Sequence, residues 1–238
     1  MIRILVINPN STVQMTESVK SVLDDCTPPN VQLEYLTCPP EGPKAIECVS
    51  DGVRSAAVLM KYFEDHPPQV DAFLVSCYSD HPLVTTLRET YRKPCTGIMQ
   101  ASILTALSLG RKVSVVTTTK RYEPLLTDGI HAMGISDSVF AGIASTGLAP
   151  LELDSKPRAE VDALLARTAL RAVNEMGADV ICLGCAGMTH MAHVLEKAVG
   201  PNIPIIDGTK AGVELLASLV RMNLFTSKQG VYQAVGSD

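Results

Sequence analysis

The stretch Phe73-Leu74-Val75-Ser76-Cys77-Tyr78-Ser79-Asp80-His81 returns in altered form as Ile181-Cys182-Leu183-Gly184-Cys185-Ala186-Gly187-Met188-Thr189. In both, an apolar run ends in a cysteine flanked by small residues. Laid over each other, Asp71 meets Asp179 and Cys77 meets Cys185, an offset of 108 positions in a chain of 238. Such a run reads as a strand passing into a helix, with its last residue where backbone N–H groups converge. Meeting it twice predicts two similar halves with a thiol at the same point of each.

Working outward, residues 2–8 read as a first strand, and Ser11 or Thr12 caps a helix carrying Met15, Val19, Val22 and Leu23. Pro28-Pro29-Asn30 ends that helix and a second strand spans 31–37. After the Pro-rich turn 39–43, the spacing of Ile46, Val49, Val53, Ala56, Met60 and Phe63 predicts one apolar helix face. A strand at 71–76, a short helix with Leu83 and Leu87, a strand at 95–98 and a helix at 99–109 complete the half. The run 112–119 then restarts the pattern against residues 3–10 at an offset of 109, and 139–143 answers the second strand. Helix 159–176 has Val161, Leu165, Ala169, Ala172 and Met176 at helical spacing. The strand ending at Cys185, a helix at 188–199, a strand at 203–206 and a helix at 210–222 follow, and Pro94 corresponds to Pro204 at an offset of 110.

Alternating strands and helices define the fold class as α/β, with parallel sheets. The expected architecture is two pseudo-symmetric Rossmann-like lobes, each a mainly parallel four-stranded sheet flanked by helices, with the active site in the cleft between them. Residues 1–98 and 209–238 form one lobe and 99–208 the other. In open sheets of this kind ligands sit beyond the carboxyl ends of the strands. That edge presents Asn8 to Ser11, Cys77 to Asp80, Thr117 to Thr119 and Cys185 to Thr189.

Composition narrows the function classes. A net charge of −5 with no basic stretch argues against nucleic acid as a partner, and 4% aromatic residues with no Trp leave little for base stacking. The opening run Ile2 to Ile7 is too short for a signal peptide or a membrane span, so a cytoplasmic protein with no membrane partner is expected. Seven cysteines without framework spacing read as reduced thiols. No P-loop or G-x-G-x-x-G stretch occurs and no lysine pattern points to a Schiff-base cofactor, so no cofactor is expected.

The two cysteines carry the chemistry. A thiol at a helix N-terminus has its thiolate stabilised by the dipole and by N–H donors, which predicts a lowered pKa. Two such thiols in equivalent positions can act as a pair, one removing a proton from a carbon while the other delivers one to the opposite face. Cys182 and Cys185 also read as C-x-x-C, with His190 and His193 downstream at zinc-like spacing. Three residues apart around the end of a strand, those two side chains point to opposite faces of the pleat, so no metal is expected. Asn8-Pro9-Asn10-Ser11-Thr12 offers amides and hydroxyls before a helix, as a seat for a carboxylate or ring carbonyl or as an ordinary turn with an N-cap. Thr117, Thr118 and Thr119 are its counterpart, and Tyr78, Ser79, Ala186 and Gly187 border the thiols. His81, His190 and His193 are given no role.

Val6-Ile7-Asn8-Pro9-Asn10-Ser11-Thr12, Cys77 after a strand, and Leu183-Gly184-Cys185-Ala186-Gly187-Met188 resemble the aspartate/glutamate racemase superfamily, over nearly the whole chain. The Asn-Pro-Asn-Ser and Gly-Cys-Ala-Gly-Met segments are similar to its hydantoin racemase branch, which includes allantoin racemases. The resemblance implies a cofactor-independent isomerase of small molecules, with Cys77 and Cys185 as the acid/base pair. It further implies that Asn8, Ser11, Thr117 and Thr118 or Thr119 hold the substrate ring or carboxylate. Tyr78-Ser79-Asp80-His81 departs from the smaller Phe-Gly-Asp stretch of that pattern, and Gln100 stands where an acidic residue is common. The leading expectation is a racemase of 5-substituted hydantoins, allantoin included. An amino-acid racemase or a dicarboxylate isomerase or decarboxylase is the alternative, with Lys120 and Arg121 as candidate cations. A non-catalytic small-molecule sensor is a further one, and a homo-oligomer is left open.

Overall fold

The computed structural model describes residues 1–233. The chain divides into two compact units, Met1–Ile98 with the segment from Gly212 onward, and Met99–Ala211. In the first, β1 (Ile2–Asn8), α1 (Val13–Asp24), β2 (Val31–Thr37), α2 (Val49–Asp65), β3 (Ala72–Val75), α3 (Pro82–Thr90) and β4 (Cys95–Gly97) alternate. All four strands are parallel, in the order β2-β1-β3-β4. From α4 (Ile98–Ala106) the second unit continues through β5 (Val113–Thr117), α5 (Tyr122–Ala132), β6 (Phe140–Ser145), the single turn α6 (Glu152–Ser155), α7 (Arg158–Asn174), β7 (Val180–Leu183), α8 (Ala192–Val199) and β8 (Ile205–Ile206). Its strands too are all parallel, ordered β6-β5-β7-β8, and α9 (Gly208–Arg221) follows β8.

The fold rests on continuous apolar runs. Every residue of β3 and of β7 is buried, as a strand covered by helices on both faces requires. Phe73 and Val75 pack with Leu59 and Phe63 of α2 and Leu83 and Leu87 of α3. Ile181 and Leu183 pack with Leu165 and Ala169 of α7 and Leu195 of α8. Close approach is built in at Gly212 of α9, where an added Cβ would lie 2.4 Å from Leu74 Cδ1.

The two units share several equivalent backbone bonds. Arg3 N–H donates to Asp71 Oδ2 and Lys112 N–H to Asp179 Oδ1, both at 2.8 Å. Ser76 N–H donates to the Ile7 carbonyl as Gly184 N–H does to that of Val116, at 2.8 and 2.7 Å. Phe73 N–H reaches the Pro94 carbonyl and Ile181 N–H that of Pro204, at 2.9 and 3.0 Å. These pairs fall at the offsets of 108 to 110 read from the sequence.

Three local expectations are corrected. The buried face of α2 is Gly52, Ser55, Ala56, Leu59 and Phe63, whereas Val49 and Val53 are 64% and 55% exposed. Gly52 and Ser55 lie against Pro82 and His81, so small residues bring α2 and α3 together where bulk was expected. After Cys185 the chain forms a 3₁₀ helix at Ala186–Met191 and only then α8. Helix α5 had no counterpart in the sequence reading. Among the described residues no helix is long and apolar enough to cross a membrane.

Candidate active site

β3 ends at Val75, so Cys77 sits two residues past the strand in a turn closed by Ser79 N–H donating to the Cys77 carbonyl at 3.1 Å. Its thiol is half-buried and lies 3.3 Å from Ser79 Oγ, while Tyr78 is buried. Helix α3 starts only at Pro82, with His81 as its N-cap. Cys77 therefore does not stand at a helix N-terminus, contrary to the sequence expectation. The α3 amides are used locally, Leu83 N–H on His81 Nδ1 at 3.2 Å and Val84 N–H on the His81 carbonyl at 3.0 Å.

Cys185 does stand at a helix start, as the N-cap of the 3₁₀ helix, and the Gly187 and Met188 amides bond to its sulfur. The expected lowering of its pKa is not what results. The residue keeps some solvent contact, yet burial pushes the thiol up from 9.0 to about 11, against the two amides and with Asp154 adding to the rise. Desolvation of the thiolate outweighs a 3₁₀ terminus only six residues long. Gly187 is buried beneath it and Ala186 partly so.

The remaining expected site residues hold the loops. Asn8 Nδ2 shares its two hydrogens among Asn10 Oδ1, the Thr12 carbonyl and Thr16 Oγ1, at 3.0 to 3.2 Å. Ser11 Oγ donates to the carbonyls of Gly42 and Pro43, and Thr12 Oγ1 to that of Lys44. In the second unit Thr117 Oγ1 donates to the Gly184 carbonyl at 2.7 Å. The Thr118 carbonyl accepts from Gly147 N–H, and that of Thr119 from Tyr122 N–H at the start of α5. Lys120 and Arg121 are exposed. Cys182 is fully buried in β7, and among the described residues no three His, Cys, Asp or Glu side chains are grouped to hold a metal ion.

Two buried clusters escaped the sequence reading. His81 Nε2 lies 3.0 Å from Ser55 Oγ, which donates to the Gly52 carbonyl. Thr189 Oγ1 donates to Asp207 Oδ2, and Asp207 Oδ1 accepts from the hydroxyl and the amide of Thr209. Asp207-Gly208-Thr209 at a strand end is an N-cap signal that would have placed the start of α9 and this cluster with it.

Two like α/β units thus each carry a cysteine just past a central strand. The chain belongs to the Asp/Glu/Hydantoin racemase family, whose model matches residues 4–216. Membership makes it an isomerase of the racemase type, and the relatives place it with the hydantoin and allantoin racemases. It is 34% identical to the hydantoin racemase of Pseudomonas sp. (strain NS671), over 97% of this chain and 91% of that protein. The crystal structure of allantoin racemase from Pseudomonas fluorescens superposes with a TM-score of 0.92 at 31% identity, covering 100% of this chain and 98% of that one. An uncharacterized Schizosaccharomyces pombe protein is 45% identical over 96% of this chain and 98% of its own.

Proposed function

We propose that the chain racemises 5-substituted hydantoins, allantoin among them, by passing a proton between Cys77 and Cys185 with no cofactor. One thiolate takes the hydrogen of the ring carbon that lies between a carbonyl and a ring nitrogen, breaking C–H and forming S–H. The opposed thiol gives its proton to the other face of that carbon, breaking S–H and forming C–H. Exchange with solvent then resets the two sulfurs.

The observation that carries this reading is the matched setting of the two thiols. Each follows a fully buried central strand and stands one residue beyond an equivalent backbone bond, Ser76 to Ile7 and Gly184 to Val116. A resting Cys185 thiol, held protonated by burial, suits it to deliver the proton, with Cys77 as the base that removes one. The reverse reaction exchanges these roles. Ser79, Tyr78, Ala186 and Gly187 border the thiols, while Asn8, Ser11, Thr117, Thr118 and Thr119 shape the loops that enclose the ring.

A neutral ring fits better than an amino acid. The Asp154 carboxylate helps to raise the Cys185 pKa, and the same negative charge disfavours a substrate carboxylate at this thiol. Polarimetry on enantiopure 5-substituted hydantoins, allantoin, aspartate and glutamate tests the assignment. Loss of rotation with the hydantoins supports it, whereas loss with the acidic amino acids alone selects the alternative. Tight binding without any loss of rotation selects a sensor.

A further inference from the structure

We propose that His81 and Thr189 are positioning residues, each fixing the turn that carries the cysteine four residues before it, an assignment that rests on the two-thiol reading above. They occupy equivalent places at the same offset of 108, and both are buried, at 1% and 3% exposure. On the strand side each turn is already held, by Ser76 N–H on the Ile7 carbonyl and Gly184 N–H on the Val116 carbonyl. On the far side the two residues hold it through different chemistry.

His81 accepts Leu83 N–H on Nδ1, so its ring proton lies on Nε2 and is donated to Ser55 Oγ in α2. Capping α3 needs only the first of those bonds. The second ties the turn to a neighbouring helix, and Ser55 is itself fixed through its bond to the Gly52 carbonyl. Burial keeps the ring neutral, with its pKa lowered to about 4, so the tautomer that serves both partners persists at neutral pH. Thr189 reaches Asp207 and, at 2.9 Å, Thr209 Oγ1, which ties the 3₁₀ turn after Cys185 to the start of α9. Each cysteine thus lies between two anchors five residues apart, Ser76 with His81 and Gly184 with Thr189. Proton transfer to carbon demands such restraint, because a displacement of about 1 Å costs on the order of a hundredfold in rate.

Iodoacetamide alkylation of each thiol in the full chain, followed by peptide mass spectrometry, reads the two anchors separately. His81→Asn keeps a side-chain acceptor for the α3 cap but cannot reach Ser55, and Ser55→Ala removes the same tether with a smaller change. Both are expected to change the Cys77 rate by roughly tenfold and to leave the Cys185 rate alone. Thr189→Val is expected to do the reverse, and Thr189→Ser, which keeps the hydroxyl, to restore the native rate. In racemisation assays kcat should fall by about ten- to a hundredfold while KM holds within about threefold. Unaltered alkylation at the neighbouring thiol overturns the assignment, and so does an equal change at both thiols, which marks general loosening. Should Cys77→Ser and Cys185→Ser keep native racemisation, the two-thiol reading fails, and the alkylation rates still decide whether the anchors hold the turns.

Discussion

Thr117 donates its hydroxyl hydrogen to the carbonyl of Gly184 at 2.7 Å, and a Cβ added to Gly184 would lie 2.8 Å from Thr117 Cβ. The same added carbon would meet Val115 Cγ1 at 2.6 Å and the Val116 carbonyl oxygen at 2.8 Å. The residue before Cys185 therefore has to be glycine because β5 passes so close, and Thr117 serves to seat it.

Gly184→Ala should accordingly destabilise the chain by about 1–3 kcal/mol through overpacking. Thr117→Val should cost about 1–3 kcal/mol by leaving the buried Gly184 carbonyl without its partner. Urea denaturation measures both. A neutral Gly184→Ala change would show that β5 yields easily at this point.

The His81 ring gives a pH dependence in acid. Its folded pKa of about 4 lies below the ordinary 6.5, so the stability it contributes is fully present above pH 6.5 and is lost as pH falls towards 4. The difference corresponds to roughly 3 kcal/mol. Urea midpoints between pH 4 and 7 should show this slope in the native chain, and His81→Gln should flatten it.

Cys185 gives one in alkali. Its folded pKa of about 11 is above 9.0, so stability from this thiol is constant below pH 9 and declines as pH rises from 9 towards 11. In the ligand-free chain its alkylation should stay slower than that of a free thiol at pH 8 and keep rising up to about pH 11. A plateau near pH 7 would mean that the Gly187 and Met188 amides overcome burial.

The strand framework was legible because each buried parallel strand is an unbroken apolar run, and because Asp71 and Asp179, Pro94 and Pro204 punctuate both halves alike. Both aspartates hold an amide at the start of a strand, Arg3 in β1 and Lys112 just before β5. What periodicity missed depends on contacts between elements far apart in the chain. Val49 and Val53 share a helical face with Ala56, yet α2 is turned by the packing of Gly52 and Ser55 on Pro82 and His81. The bonds of Asn8 to Thr16 and of Ser11 to the carbonyls of Gly42 and Pro43 were not legible either, with partners up to 32 residues away. The raised pKa of Cys185 was hidden for the same reason, since sequence shows the helix start but not the burial around it.

Asp179 should matter more than its twin. It accepts from Arg111 and Lys112 N–H, whereas Asp71 accepts from Arg3 N–H. Asp179→Ala should cost about 1–2 kcal/mol and Asp71→Ala about half as much, read from urea midpoints. Equal costs would mean that the Arg111 bond adds nothing.

Hydrogen exchange at the ring carbon of an enantiopure 5-substituted hydantoin in deuterium oxide, followed by proton NMR alongside optical rotation, puts the paired-thiol account to its most direct trial. The native chain should introduce deuterium as the rotation decays, each single Cys77→Ser or Cys185→Ser change should slow racemisation by about 10²- to 10⁴-fold, and the double change should abolish exchange. Deuterium entering at the native rate with both sulfurs replaced would contradict it.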